Sequence, residues 1–378
     1  MIGTMLMAGG CASGRGAAGA GSAGGGATSD GRAGAGASGP RTLRADDIVL
    51  DFGPAASLLQ FWQEPGDRPL ERTHAVATSL PYRALRGFFA SQFRCDHDDL
   101  AVAKAMAHPS TDGICGFGLD PAWRERASLD SLLYALVERS ATTRADMARE
   151  VGAYFPRAGW RPIRVWFVVA SRWMFDAVTL DRIPESDSPV ILFNLSEALD
   201  YGGNTEERAA IVERVLAHEA FHAALRQIEF GTPGWHRYHD PKNAFDHIAR
   251  VMLDEGVAHY IDWKRRPGAD TLFAAKPGAR EKRAFEQLSL AARHLRDPQT
   301  DPDARAEILG LAATGPMWSK YGAVSGMFAA WRIERAWGAD SLRRVVQAGP
   351  LALLAGYAAA AAADTNLAAL PRELYIKQ

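Results

Sequence analysis

From Asn204 to the break at Gly231-Thr232-Pro233-Gly234 the chain reads as one long helix, and two of its histidines, His218 and His222, stand four residues apart. Side chains at that spacing leave a helix on the same face, one above the other. Asn204 is a good N-cap, with Glu207 three residues on as in a capping box. Ile211, Val215, Leu216, Ala220 and Phe221 recur at the helical period, so the helix is amphipathic. Whatever else the chain builds must pack against this helix and cover its imidazole-bearing face.

Two neutral imidazoles in this arrangement suit one tetrahedral zinc ion. Glu219, next to the first histidine in His218-Glu219-Ala220-Phe221-His222, is placed to take a proton from a water that such a metal acidifies. A catalytic zinc needs a third protein ligand and one open position. Leu225 and Ile228 stand where a metzincin would continue with Gly and His, so that class is excluded. An acidic ligand from a later helix is the alternative. Asp240-Pro241 predicts the start of one, with Pro in the first turn. Phe245, Ile248, Met252, Val257 and Ile261 face inward, and the end falls at Arg266-Pro267-Gly268. It carries Leu253-Asp254-Glu255-Gly256-Val257-Ala258-His259-Tyr260. Glu255 is the best third ligand, and Gly256 would let this helix approach the first one closely. His259, one turn on, competes for the same role or lines the cleft. Asp254 points about 100° away, and His247 lies two turns earlier. Asp262 is spaced to orient a ligand histidine.

This pair of segments resembles the gluzincin class of metallopeptidases over about residues 193–262. It is also similar to bacterial families of zinc-dependent peptidases that continue with a Tyr-Gly-containing helix, as Tyr321-Gly322 does here. The resemblance implies Zn2+ on His218, His222 and Glu255, with Glu219 as general base and a peptide or protein as substrate. It also implies an oxyanion donor several tens of residues after the acidic ligand, for which Tyr321 is best placed. His236 and His239, in the loop between the two metal helices, are further candidates. The strand holding Asn194 would run along the cleft and pair with an extended substrate. The Gly-x-Met-Glu-Asn element of gluzincin aminopeptidases is absent, which weakens an exopeptidase assignment. Two rivals stand beside this reading. One is a catalytically silent zincin-fold binding module of the cell envelope, against which the intact Glu219 argues. The other is a zinc hydrolase of non-protein amides or cell-wall peptides.

The 378 residues, 47% apolar and 23% charged, are enough for a sizeable core. A net charge of −1 gives no electrostatic case for nucleic acid, and no apolar run is long enough to span a bilayer. Residues 45–159 read as mainly helical, with breaks at Pro54, Pro65-Gly66, Pro81 and Pro109. Residues 163–169 and 189–195 are strands whose continuous apolar character predicts burial on both faces. Residues 282–378 read as several helices, with Ala358 to Ala363 a turn of helix in the core. The expected fold class is α+β, mostly α-helical: zincin-like, with a small β-sheet and a C-terminal helical part. Residues 43–378 would form one peptidase domain with a helical part (43–160), a metal-site core (161–266) and a C-terminal helical part (267–378).

The small residues before Cys11 resemble a bacterial lipoprotein cleavage site, although no Lys or Arg precedes them. Residues 12–42, almost all Gly, Ala and Ser, predict a flexible tether with a span of roughly 30 Å. The expectation is an envelope protein (periplasm or outer membrane) held to the membrane only through a lipid on Cys11, or a cytoplasmic one if the signal reading fails. Cys95 and Cys115 would pair in an oxidising compartment or stay free thiols otherwise. Cys95-Asp96-His97-Asp98-Asp99 holds ligand-type residues but has no matched second cluster.

Overall fold

A computed structural model describes residues 42–374, apart from 65–68, 112, 156–159, 182, 184, 185, 187, 232–234, 240, 242 and 275. The signal segment, Cys11 and all but the last residue of the tether lie outside the described residues. A short strand, β1 (Ile48–Asp51), precedes seven helices: α1 (Gly53–Gln63), α2 (Leu70–Ala77), α3 (Leu80–Phe93), α4 (Asp99–Ala107), α5 (Asp120–Arg124), α6 (Arg126–Glu138) and α7 (Ser140–Gly152). Strands β2 (Ile163–Val168), β3 (Ala177–Leu180) and β4 (Val190–Asn194) follow. The C-terminal half is helical: α8 (Thr205–Gly231), α9 (His236–His239), α10 (Ala244–Trp263), α11 (Ala269–Leu272), α12 (Ala279–Arg296), α13 (Pro302–Leu311), α14 (Tyr321–Trp337), α15 (Ala339–Ala348) and α16 (Pro350–Ala363). The fold is α+β and mostly helical, with one four-stranded sheet.

The sheet runs β1-β2-β4-β3. β1, β2 and β4 are parallel, and β3 lies antiparallel on the outer side of β4. β4 is buried along its whole length and β2 at all but Arg164, as sequences more continuously apolar than alternating imply. Two strands depart from the sequence reading. Residues 48–51 were expected in a helical region but form β1. Residues 177–180 carried no strand expectation, yet close the sheet. Both are four residues long, too short for period-2 alternation to stand out.

α8 begins as its capping sequence predicts: the Asn204 side chain accepts from the Glu207 amide at 2.9 Å. The Glu207 carboxylate reaches back one residue further than a capping box requires, to the Gly203 amide at 2.8 Å. α8 is enclosed by α6, α7, α10 and β3. Its Phe221 packs against the rings of Tyr154 and Phe155, with centroids 5.8 and 5.1 Å away. α10 starts three residues later than Pro241 suggested, at an N-cap formed by Asn243, whose Oδ1 accepts from the Asp246 amide at 2.7 Å.

α10 lies deepest against α14, and glycine explains how. A Cβ added to Gly256 would come within 2.5 Å of the Gly326 backbone, and one added to Gly326 within 1.9 Å of the Met252 carbonyl oxygen. The two helix backbones therefore touch at a glycine pair, which any side chain would separate. The close approach expected of Gly256 is real, but its partner is α14 rather than α8.

Candidate metal centre

α8 and α10 bring His218, His222 and Glu255 together in a buried position. The Nε2 atoms of His218 and His222 are 3.0 Å apart. Glu255 Oε2 lies 3.9 Å from the first and 3.8 Å from the second. Zinc–ligand bonds of about 2.0–2.1 Å put tetrahedral donors roughly 3.3–3.4 Å from one another, so the three atoms already frame a site of the right size. Glu255 Oε2 is buried and accepts no hydrogen bond, a costly state for a carboxylate oxygen unless a cation sits beside it.

The outer face of each imidazole supports the same conclusion. His222 Nδ1 is 2.6 Å from Asp254 Oδ1, and the His218 ring bonds the backbone of Ala258. With the outer nitrogens donating, the two inner nitrogens present lone pairs to each other, an arrangement that needs a cation or a proton between them. The field favours positive charge there. Burial opposes a charge on His222, but Asp254 and Glu255 push its pKa up to about 9. Burial, and then the facing His222, hold His218 well below its usual value.

Asp254 is fixed from behind. Arg226, fully buried, reaches Asp254 Oδ2 at 2.9 Å, Asp181 Oδ1 at 2.7 Å and Glu229 Oε2 at 3.0 Å. Arg250 adds a contact with Glu229 at 3.2 Å. Against the cost of burial, Arg226 and His222 keep Asp254 well below the usual carboxylate range. The residue ranked low as a ligand because it points away from Glu255 thus orients His222. The sequence offered Asp262 for that work or as a solvated helix-end carboxylate; it is neither, but buried and paired with Arg266 and, at 3.5 Å, with Arg214.

Glu219 stands beside both histidines, its carboxylate within 4.8 Å of their ring nitrogens. Thr179 of β3 donates its hydroxyl to Glu219 Oε2 at 2.8 Å, so the edge strand sets the orientation of this side chain. Burial pushes the Glu219 carboxyl up to about 7, opposed by His222 and the Thr179 hydroxyl. A cavity of about 30 Å3, room for a water or two, opens here between Asp176, Val215, His218, Glu219, His259 and Lys320. Trp263 and Arg266 line both this cavity and a groove of about 460 Å3 along α10–α12. The ring of Trp263 meets that of Trp318 edge-on at 5.0 Å, and Arg266 and Arg280 cover the two indoles at 4.0 Å each.

His259 is also at the site. Its Nε2 is buried without a hydrogen bond, 3.9 Å from Glu255 Oε2, and its ring centroid is 4.6 Å from that of His218. His218, Glu255 and His259 thus make one grouping of metal-ligand spacing, and His218, Glu219 and His222 another that shares His218 with it. Other candidates have other partners. The Tyr321 hydroxyl donates to the Ile308 carbonyl at 2.9 Å, and its chain neighbour Lys320 is the residue that lines the cavity. The ring of His247 bonds the Leu309 backbone. The side chains of His236 and His239 lie outside the described residues. Asn194 does not border a substrate cleft, because β4 is paired on both sides. Its amide clamps the connection from β2 to β3, accepting from the Ala170 amide at 3.1 Å and donating to the carbonyls of Ser171 and Phe175 at 3.0 and 3.2 Å.

The Cys95 to Asp99 cluster also has structural partners. Cys95 forms a disulfide with Cys115. Asp98 caps α4 by accepting from the Ala101 amide at 2.7 Å. Asp99 pairs with Arg86, which also donates to the His97 carbonyl at 2.9 Å.

Fold and site together define a helical α+β protein with a buried cluster of His218, Glu219, His222, Glu255 and His259, whose donors are spaced to hold a metal ion in more than one combination. The chain belongs to the family described as "Putative zinc dependent peptidase (DUF5700)", which it matches over residues 119–366, more than half its length. No curated protein and no solved structure matches it. Zinc is the metal in that family's description, and it suits two imidazoles and a carboxylate oxygen.

Proposed function

We propose that the protein is a gluzincin-type peptidase, with zinc held by His218, His222 and Glu255 and with Glu219 as general base. The observation that carries the reading is the juxtaposition of three convergent donors with a carboxylate that Thr179, rather than the metal, holds in place. Zinc in such a site polarises a carbonyl and makes water more acidic. Glu219 Oε1 or Oε2 takes a proton as water adds to the amide carbon, then returns it to the departing amine. Asp254 and the Ala258 backbone fix the imidazole orientations. The groove past Trp263 and Arg266 takes the peptide on one side of the scissile bond. A zincin-like arrangement fits this role, with β3 as the free sheet edge beside Glu219.

The same proposal extends to location. A lipid on Cys11 and a tether over residues 12–42 would place the enzyme in a bacterial cell envelope, acting on peptides or proteins there. The Cys95–Cys115 disulfide supports an oxidising compartment. Metal analysis of the purified protein, followed by incubation with a mixed peptide library and mass spectrometry, tests the reading. About one zinc per chain and chelator-sensitive cleavage are expected. A protein that takes up no zinc, or that holds zinc and cleaves nothing in the library, would speak against it.

A further inference from the structure

Lys320 is a fully buried lysine whose ammonium has no hydrogen bond or ion pair among the described residues. It lies between the short turn at Met317–Ser319 and the first residue of α14, and it lines the metal cavity with Asp176, Glu219 and His259. Burying an unpaired ammonium is among the more costly things a fold does. Burial lowers the pKa of Lys320, and the carboxylates of Glu255, Asp176 and Glu219 work against that, yet none lies close enough to be an ion-pair partner. A cation held free of partners beside a metal centre is arranged to meet negative charge that arrives or develops there.

We propose that Lys320 is the oxyanion donor of this enzyme. The inference rests on the zinc-peptidase reading of the site and goes beyond it by assigning the oxyanion role to a residue other than Tyr321. When water adds to an amide carbonyl, the new C–O bond forms and the carbonyl π pair moves onto its oxygen, while the water proton goes to Glu219. The ammonium of Lys320 donates a hydrogen bond to that oxygen as its charge grows. Tyr321, the residue the sequence favoured, spends its hydroxyl on the Ile308 carbonyl. His259 remains in the cavity as a neutral neighbour, since burial, and then His218 and Lys320, hold its pKa well below the usual value.

Inorganic phosphate, a tetrahedral oxyanion, serves as the probe, titrated calorimetrically into the zinc-loaded full chain. Wild type, Lys320→Met and Lys264→Met are compared, and zinc content is measured on each sample. Lys264 is a charged residue at the end of α10, 3.7 Å from Glu150 and outside the cavity. Lys320→Met is expected to keep one zinc and to weaken phosphate binding by roughly ten- to a hundredfold, the range for a charge-assisted hydrogen bond. Lys264→Met should bind as wild type does. The thermal midpoint of zinc-loaded Lys320→Met should be unchanged or higher, because the variant removes an unpaired buried charge next to a dication. A merely structural lysine would show the reverse, a lower midpoint with phosphate affinity intact, and that result overturns the proposal. Acetate provides a second arm. If acetate binding falls while phosphate binding does not, Lys320 recognises a substrate carboxylate and the oxyanion role is wrong. Wild type that holds zinc but binds no phosphate also overturns it. Wild type without zinc overturns the site reading, and this inference with it.

Discussion

At the scale of single residues, the juxtaposition of His218, Glu219 and His222 was legible because helical geometry alone fixes their relation. Glu255 was legible through its neighbours, a Glu-Gly pair on a returning helix. The residues that hold these side chains were not. Asp254, Thr179 and Arg226, which do so, and Asp176 and Lys320, which line the cavity, come from five different elements or loops, and nothing in their local sequence marks them. Asp254 was even set aside for pointing away from Glu255, although pointing away is what lets it grip His222 from outside. Two predictions belong here. Glu219→Gln keeps the size of the side chain and a carbonyl for Thr179, but cannot take a proton at neutral pH. Zinc content should stay near one per chain while turnover falls about a hundred- to ten-thousand-fold, measured side by side on any peptide the library identifies. Full activity in this variant would remove Glu219 from the mechanism. Asp254→Asn keeps a partner for His222 Nδ1 but loses the charge behind it. Zinc affinity, measured by competition with a chelating dye, should drop roughly ten- to a hundredfold. An unchanged affinity would mean that Asp254 only fills space.

At the scale of elements, the long ones were predictable and the short ones were not. α8 and α10 each carry several turns of periodic apolar residues, and β2 and β4 have apolar stretches more continuous than alternating. β1 and β3 offer only four residues each. β3 occupies the outer side of β4, so the strand of Asn194, which the resemblance placed along the cleft, is paired on both sides instead. Packing partners were equally hidden. Gly256 announced a close contact but not which helix would make it. The Gly256–Gly326 contact sets the depth at which α10 lies, and therefore where Glu255 ends up. Gly326→Ala should push α10 and α14 apart, because its Cβ would fall on the Met252 carbonyl oxygen. The expected loss is about 1–3 kcal/mol of stability by chemical denaturation, together with weaker zinc binding, although residue 326 is no ligand. A variant as stable as wild type would show that the helix pair has slack.

At the scale of the whole molecule, a metal at the proposed site would join two helices that packing and the Arg226 network already hold together. Ligands that bind only the folded state stabilise it by mass action. With free zinc at a thousand times its Kd the gain is about 4 kcal/mol. For a domain of this size that corresponds to a fall in thermal midpoint of about 6 °C on full chelation, readable by scanning calorimetry. Complete unfolding on chelation would contradict the picture. Residues 42–374 enclose one large core that extends from β1 to α16, and no small metal-dependent module has to collapse around the ion.

The Arg226 network has one more consequence. Asp181 lies just beyond β3, Arg226 and Glu229 lie on α8, and Arg250 and Asp254 lie on α10, so this cluster joins three parts of the chain before any ion is present. Asp254 is thereby set, and it sets His222. At the proposed site the donors would then be a finished receptacle rather than something the ion must assemble. Loading becomes a docking event whose rate depends on how often the cavity opens, not on how fast the chain folds. Ions of similar radius should be interchangeable in a folded protein, without denaturant, and cobalt should enter the receptacle left by zinc with no change in the surrounding helices.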